Sequence, residues 1–257
     1  MTIRLSADEC RDFEGAITRE WLATNGLGGY ASGTVAGPNT RRYHGLLMAA
    51  LHPPVQRVLL LAALDESVDG EPLSAHEYWD GTVAPAGFRS LESVCLDGML
   101  PCFRWRINGR LVERRIWMDD RQNRTVISYR LLQGPPGRLD VRPLFAHRPA
   151  DLQRHGRATA RPDRIVRGWR LDLDGLTSYF ETDPIGNVSG RPDWYVRVLH
   201  RAERERGLDS EEDLFTPGFV ELPLNRGRPA VIIAGTEPLP QDWSPAASLA
   251  TARRVQR

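Results

Sequence analysis

The 257-residue chain contains no lysine: its 34 basic residues are all arginine, set against 33 acidic ones for a formal net charge of +1. So near a balance gives no electrostatic reason to expect nucleic acid or an anionic membrane as a partner. Without lysine there is no P-loop, whose phosphate-cradling glycines end on that residue. Cysteine is scarce too. Cys10, Cys95 and Cys102 cannot complete a disulfide framework, which fits a reducing, cytoplasmic compartment. Cys95 and Cys102 flank an Asp97-Gly98 turn where they can face each other, and they are read as buried free thiols. No Cys/His spacing resembles a zinc site, and no metal or other cofactor is expected. The longest apolar run, Val58 to Leu64, is far short of the roughly 20 residues that span a bilayer. The stretch from Met1 to Glu9 has no apolar signal region. Gly-x-Ser-x-Gly and cysteine-centred nucleophile motifs are missing as well, so acyl transfer has nothing to stand on.

What the chain does have is alternation with period two. Phe103, Trp105 and Ile107 alternate with Arg104, Arg106 and Asn108. The same pattern places Thr125, Ile127, Tyr129 and Leu131 opposite Val126, Ser128 and Arg130, and Trp169, Leu171 and Leu173 opposite Arg170, Asp172 and Asp174. These are half-buried antiparallel strands. Turn signals separate them at Asp97-Gly98, Asn108-Gly109, Gly134-Pro135-Pro136-Gly137 and Asn225-Arg226-Gly227. Many short strands with little helical periodicity predict an all-β fold, a large antiparallel β-sandwich with few short helices. Ala146 to Asp163 reads as a long surface loop, and His200 to Phe215 as a loop with short helical turns. Helix is expected only late. Ser244 as N-cap, Pro245 at the first helical position and the basic pair Arg253-Arg254 predict one at the C-terminal end. The expected division is a sandwich over residues 1–240 and a linker with the start of a helix over 241–257, leading to a following domain.

The densest stretch, Asn25 to Leu47, contains Gly26-x-Gly28-x-x-Ala31, the spacing of a dinucleotide loop. A helix must open on the third small residue, yet Gly33, Gly37 and Pro38 follow, and no acidic residue lies between Glu20 and Asp65 to hold a ribose. The glycines Gly28 and Gly29, with Asn25 and Tyr30 beside them, instead permit a tightly folded backbone to approach a ligand or another domain. Arg41, Arg42 and His44 add forked donors and an imidazole. If extended, this segment sends Arg41 and Tyr43 to one face and Arg42 and His44 to the other. The arginines otherwise pair with carboxylates such as Asp65 and Glu66 and staple loops together. His44 and His147 read first as hydrogen-bonded structural residues.

A second cluster holds Asp193, Trp194 and Tyr195, then Glu203 to Asp209, with Arg204 and Glu205 inside it, and Glu211-Glu212-Asp213. Aromatic rings beside carboxylates and guanidiniums suit a pyranose, with its apolar C–H face and its hydroxyls. A charge run of this kind is also what a solvated face looks like. Glycoside hydrolysis needs two carboxylates at a fixed separation, and no pair in an apolar pocket is identifiable here.

Several stretches resemble the N-terminal domain of bacterial and archaeal glycogen debranching enzymes of the amylo-α-1,6-glucosidase type: Arg19 to Thr34, Asn39 to Leu47, Leu64-Asp65-Glu66, Arg204 to Asp209 and Glu212 to Phe215. The likeness runs from about Arg19 to about Pro238. It implies a β-supersandwich that precedes an (α/α)6-barrel domain carrying the catalytic carboxylates, so that the barrel is one partner and a glycogen-like α-glucan the other. Asn25, Gly28, Gly29, Tyr30, Arg41, Arg42, His44, Asp65, Glu66, Trp194, Tyr195, Arg204, Glu205 and Asp209 are then candidates for substrate binding or the domain interface, none of them catalytic. Val196 to Ala202 departs from the more aromatic, acidic segment expected of relatives, which argues against glucan contact there. The alternatives are a free-standing glucan-binding module and, more remotely, a complete small glycosidase or glucanotransferase using its own carboxylates, such as Asp65 or Glu205.

Overall fold

A computed structural model describes residues 3–255. Among them the strands form two large antiparallel sheets, one of nine strands and one of ten, with a small hairpin of Ala75–Glu77 and Val83–Ala86 beside them. The nine-stranded sheet runs Arg4–Leu5, Leu91–Asp97, Leu100–Ile107, Arg110–Met118, Arg124–Gln133, Ala230–Gly235, Leu176–Asp183, Gly168–Leu173, Arg161–Ile165. The main path of the other runs Asn187–Ser189, Phe219–Leu224, Gly137–Pro149, Val55–Val68, Gly45–His52, Tyr30–Thr34, Glu20–Thr24. A hairpin of Asp193–Leu199 and Glu211–Thr216 joins it where Phe145 pairs with Phe215.

The expected sandwich is present. Asn108 and Gly109 both take positive φ, +46° and +74°, closing the hairpin in which Ile107 pairs with Arg110. Gly134 to Gly137 and Asn225 to Gly227 do something else: each carries the chain from one sheet to the other. The main core fills the space between the sheets, with Trp21, Leu47, Leu61 and Phe145 from one and Phe103, Trp105, Ile127 and Phe180 from the other. At roughly 1.5–3 kcal/mol for each fully buried large side chain, this layer is the principal favourable contribution to folding.

Both outer faces carry a cover. Met48, Leu59, Ala62 and Leu144 pack under Val198 and Leu214 of the hairpin. Leu100, Trp117, Val126, Val231 and Ile233 pack under Leu239, Trp243, Leu249 and Ala252 of the C-terminal segment. Its helix, Pro245–Val255, begins where predicted, with the Ser244 carbonyl accepting from Ser248 N–H at 3.0 Å.

Three local expectations need correction. Helix also occurs early, as Ala7–Arg11 and Phe13–Ala16, the first fixed by a Ser6/Glu9 capping box. The surface loop expected over 146–163 shrinks, because the Gly137–Pro149 strand continues through buried His147 and Arg148 and another strand starts at Arg161. His200 to Phe215 resolves into a helix, Arg201–Glu205, and the strand Glu211–Thr216, whose Glu212 points inward. In both cases the polar residues are buried by partners far away in sequence, which composition does not show.

Candidate functional site

Asn25, 1% exposed, organises the glycine-rich turn. Its Oδ1 accepts from the N–H groups of Leu27 and Gly29 at 2.9 and 3.0 Å, and its Nδ2 donates to the Gln122 carbonyl at 2.9 Å and to Asn123 Oδ1 at 3.1 Å. The amide is thereby close to saturated. Gly28, at φ +96°, lies so near the Pro53-Pro54 turn that a Cβ would sit 2.9 Å from the Pro54 carbonyl oxygen. At Gly29 a Cβ would meet Asn25 Nδ2 at 2.6 Å and Asn123 Oδ1 at 2.7 Å. Close backbone packing, and no phosphate, accounts for these glycines.

Asn39 to His44 is not extended. A turn closed by His44 N–H to the Arg41 carbonyl, 3.0 Å, brings Arg41 and His44 to the same carboxylate, Glu20, at 2.7 and 3.4 Å. The expected division of faces is therefore replaced by one in which Arg41 and His44 share Glu20 while Arg42 and Tyr43 lie together elsewhere, the guanidinium 6.0 Å from the ring centre. Arg42 pairs with buried Glu203 at 3.1 Å and donates to the Asp151 carbonyl at 2.8 Å, so neither arginine meets Asp65 or Glu66. Burial pushes the Glu203 carboxyl up, but the Arg42 guanidinium and backbone N–H outweigh it and hold the group below the usual range. His44 accepts from Thr40 N–H through Nδ1 at 3.2 Å, and burial drives its pKa down to about 4 against the pull of Glu20.

Next to this pair stands a second. Arg148 grips Glu212 through Nε and also through Nη2, the latter at 3.0 Å, while Nη2 donates to the Arg42 carbonyl at 2.9 Å. Glu212 accepts in addition from Arg154 N–H at 3.2 Å. Three segments, around Arg42, Arg148 and residues 203–212, are thus fastened by two ion pairs, 161 and 64 positions apart in sequence, that meet at the Arg42 carbonyl. Arg201 extends the seam, clamping buried Glu77 at 2.7 Å and exposed Glu14 at 2.6 Å.

The remaining candidates are dispersed. Tyr30 donates to the Tyr43 carbonyl at 3.0 Å. Tyr195 donates to Asp65 at 2.6 Å, and Ser74 to the same carboxylate at 2.7 Å. Trp194 packs edge-on against Phe215, centroids 5.4 Å apart. Glu66 lies in the core, where it accepts from Tyr129 at 2.6 Å and Arg114 at 2.7 Å. Arg204 donates to the Trp79 carbonyl at 2.7 Å, Glu205 is exposed, and Asp209 pairs with His155 at the surface at 2.7 Å. The sequence places Glu203 and Glu212 in the charged cluster without a role of their own, and it gives no mark to Arg148, Arg154 and Trp79. The first two sit within or beside recognised motifs, and inward alternation along 211–216 was the available signal for Glu212.

An open groove of about 920 Å³ borders the seam. Tyr30, exposed Tyr43, Arg57, Arg148, Arg154 and Asp174 are among its walls. Arg154 spans its floor, donating to the His147 carbonyl at 2.6 Å and pairing with Asp174 at 2.7 Å. Aromatic faces beside forked donors suit a polyhydroxylated ligand. On the far side of the Asn25 turn, exposed Leu22, Met99 and Val255 line an apolar hollow. Among the described residues no group of three or more His, Cys, Asp or Glu side chains is placed to hold a metal ion, and no helix is long and apolar enough to cross a membrane.

A family model described as "Glycogen debranching enzyme N terminal" matches residues 19–231. The chain belongs to the glycogen debranching enzyme N-terminal family. The match encloses every candidate from Asn25 to Asp209 and both buried ion pairs, so the seam of this debranching-enzyme N-terminal domain is built from within the family region. Among solved structures, one described as "Putative kojibiose phosphorylase from human microbiome" is similar with a TM-score of 0.46 and 11% identity over 99% of this chain. The chain spans 37% of that protein's length. Among curated proteins none matches.

Proposed function

We propose that this chain is the substrate-shaping and barrel-supporting N-terminal domain of an enzyme that hydrolyses α-1,6 branch linkages in glycogen-like glucans. On this reading the sandwich ends near residue 240 and the following segment leads to an (α/α)6-barrel holding the catalytic carboxylates. The observation that carries it is the pairing of two surfaces on either side of the Asn25 turn. One is the polar groove with Tyr30 and Tyr43, fit for a glucan branch, and the other is the apolar hollow at Leu22, Met99 and Val255, fit for another domain. Gly28 and Arg57 tie the turn to the groove wall, with Arg57 Nε donating to the Gly28 carbonyl at 2.7 Å.

The carboxylates once considered for catalysis within this chain support that division. Asp65 is engaged by Tyr195 and Ser74, and Glu205 is solvent-exposed. A second reading, a glucan-binding module acting alone, is favoured by Trp79, which is 45% exposed and carries the Arg197 guanidinium 3.7 Å from its ring centre.

Calorimetric titration of the chain with a branched α-glucan, run beside a glucose-release assay, tests the proposal. Weak binding without release is expected, with Tyr43→Ala lowering affinity about fivefold, as loss of one stacking contact implies. Released glucose would overturn the placement of catalysis elsewhere. Binding lost with Trp79→Ala but untouched by Tyr43→Ala would favour the module reading, and no binding at all would remove the substrate-shaping half.

A further inference from the structure

Cys95 and Cys102 stand directly opposite each other on neighbouring antiparallel strands of the nine-stranded sheet, within an unbroken row in which Arg4 pairs with Cys95 and Arg115 with Cys102. Opposite residues in such a ladder have Cα atoms about 4.5–5.5 Å apart, inside the range a disulfide spans without backbone movement. The row lies on the sheet's outer face, because Cys102 and Arg115 are two residues from Leu100 and Trp117, which face the C-terminal segment. Cys95 is partly exposed, Cys102 is 1% exposed, and all three cysteines are free thiols.

The surroundings favour a thiolate at the accessible position. The two thiols hydrogen-bond each other, and this contact lowers the Cys95 pKa to about 6 and raises that of Cys102. Burial and Glu113 act against the Cys95 thiolate, while Arg104 and Arg115 act for it. Cys10, by contrast, is fully buried, and burial pushes its thiol up.

We infer that Cys95 and Cys102 form a redox-active thiol pair that closes reversibly to a cross-strand disulfide by exchange with a small anionic disulfide. The Cys95 thiolate attacks one sulfur of the incoming RS–SR, forming the mixed disulfide Cys95–S–SR and expelling RS⁻. Cys102 then attacks the Cys95 sulfur, the Cys95–SR bond breaks, and the departing thiolate leaves as RSH with the Cys102 proton. Two protein thiols are oxidised and one RS–SR is reduced to two thiols. Arg104 and Arg115 are held by Glu113 and Asp97, so exposed Arg4, opposite Cys95, supplies the cation that matches a carboxylate-bearing disulfide such as oxidised glutathione. Closure staples the hairpin whose Asp97 accepts from Arg253 of the C-terminal helix at 2.7 Å, so the redox state bears on how that helix is anchored.

Equilibration of the folded protein with oxidised glutathione, followed by acid quench, denaturing alkylation and peptide mass spectrometry, tests this. The expected product is a Cys95–Cys102 cross-linked peptide with Cys10 alkylated, reversed by reduced glutathione. Cys102→Ser is expected to stop at a glutathione adduct on Cys95, and Cys95→Ser to leave Cys102 unmodified. Without any variant, native iodoacetamide labelling at pH 7 is expected to modify Cys95 at least about tenfold faster than Cys10. Both thiols surviving the oxidant, or wild-type protein halting at the mixed disulfide, would overturn the inference.

Discussion

The side chains of Arg148 and Glu212 are 3% and 1% exposed, so each is the other's chief compensation for leaving water. Arg148→Ala strands a buried carboxylate and is expected to cost about 3–5 kcal/mol in urea unfolding. Replacing both partners, Arg148→Met with Glu212→Leu, is expected to recover at least half of that, since the desolvation penalty disappears with the charges. A double variant as unstable as the single one would mean that the pair acts through shape and not charge. At this scale the sequence showed which residue types to suspect and seldom their roles. Arg42 and His44 stood out by composition, yet nothing local to Glu203 or Glu212 names Arg42 or Arg148 as its partner. A buried ion pair between residues 161 positions apart, as for Arg42 and Glu203, is written in neither neighbourhood.

Among the elements, the C-terminal helix is held as much by one polar junction as by its apolar face. Ser248 Oγ accepts from Trp117 Nε1 at 2.7 Å and donates to Asp119, which also accepts from Trp243 Nε1 at 2.9 Å and Arg124 at 3.1 Å. Ser248→Ala leaves the indole N–H of Trp117, itself 1% exposed, without its acceptor. The expected cost is about 1–3 kcal/mol, with faster amide exchange confined to residues 245–255. An unchanged exchange pattern would show that Leu249 and Ala252 hold the helix alone. Helix and strands alike were legible where pattern sufficed: Ser244-Pro245 fixed the helix start, and alternation marked 103–107, 125–131 and 169–173. It failed for Gly137–Pro149, where Pro143, His147 and Arg148 break the apolar pattern of a strand buried on both faces. His147 is admitted there because Leu176 O and Ser178 Oγ satisfy its two nitrogens at 3.0 and 2.8 Å.

Across the whole molecule the buried histidines set the response to acid. His44, His76, His147 and His200 are each at most 4% exposed, and burial lowers all four below the ordinary 6.5, to about 4 for His44 and His147. Unfolding exposes imidazoles that take up protons below pH 6.5 while the folded state does not. The stability these groups confer is therefore complete above that pH and is lost as pH falls towards 4. Each contributes a slope of up to about 1.4 kcal/mol per pH unit in that window. His155 works in the opposite sense, since Asp209 raises its pKa, but this exposed pair is screened by solvent and weighs little. Glu203, held below its usual range, adds further loss as pH falls below the ordinary carboxylate range, where the unfolded chain binds a proton that the folded state does not. Urea midpoints measured at pH 7.5, 5.5 and 4.5 should therefore fall steeply between the first and last. His147→Asn should flatten that dependence by about one imidazole's share even if it lowers stability at pH 7.5. Equal midpoints at the three pH values would mean that these rings are already charged or hydrated in the folded state, contrary to the packing around them.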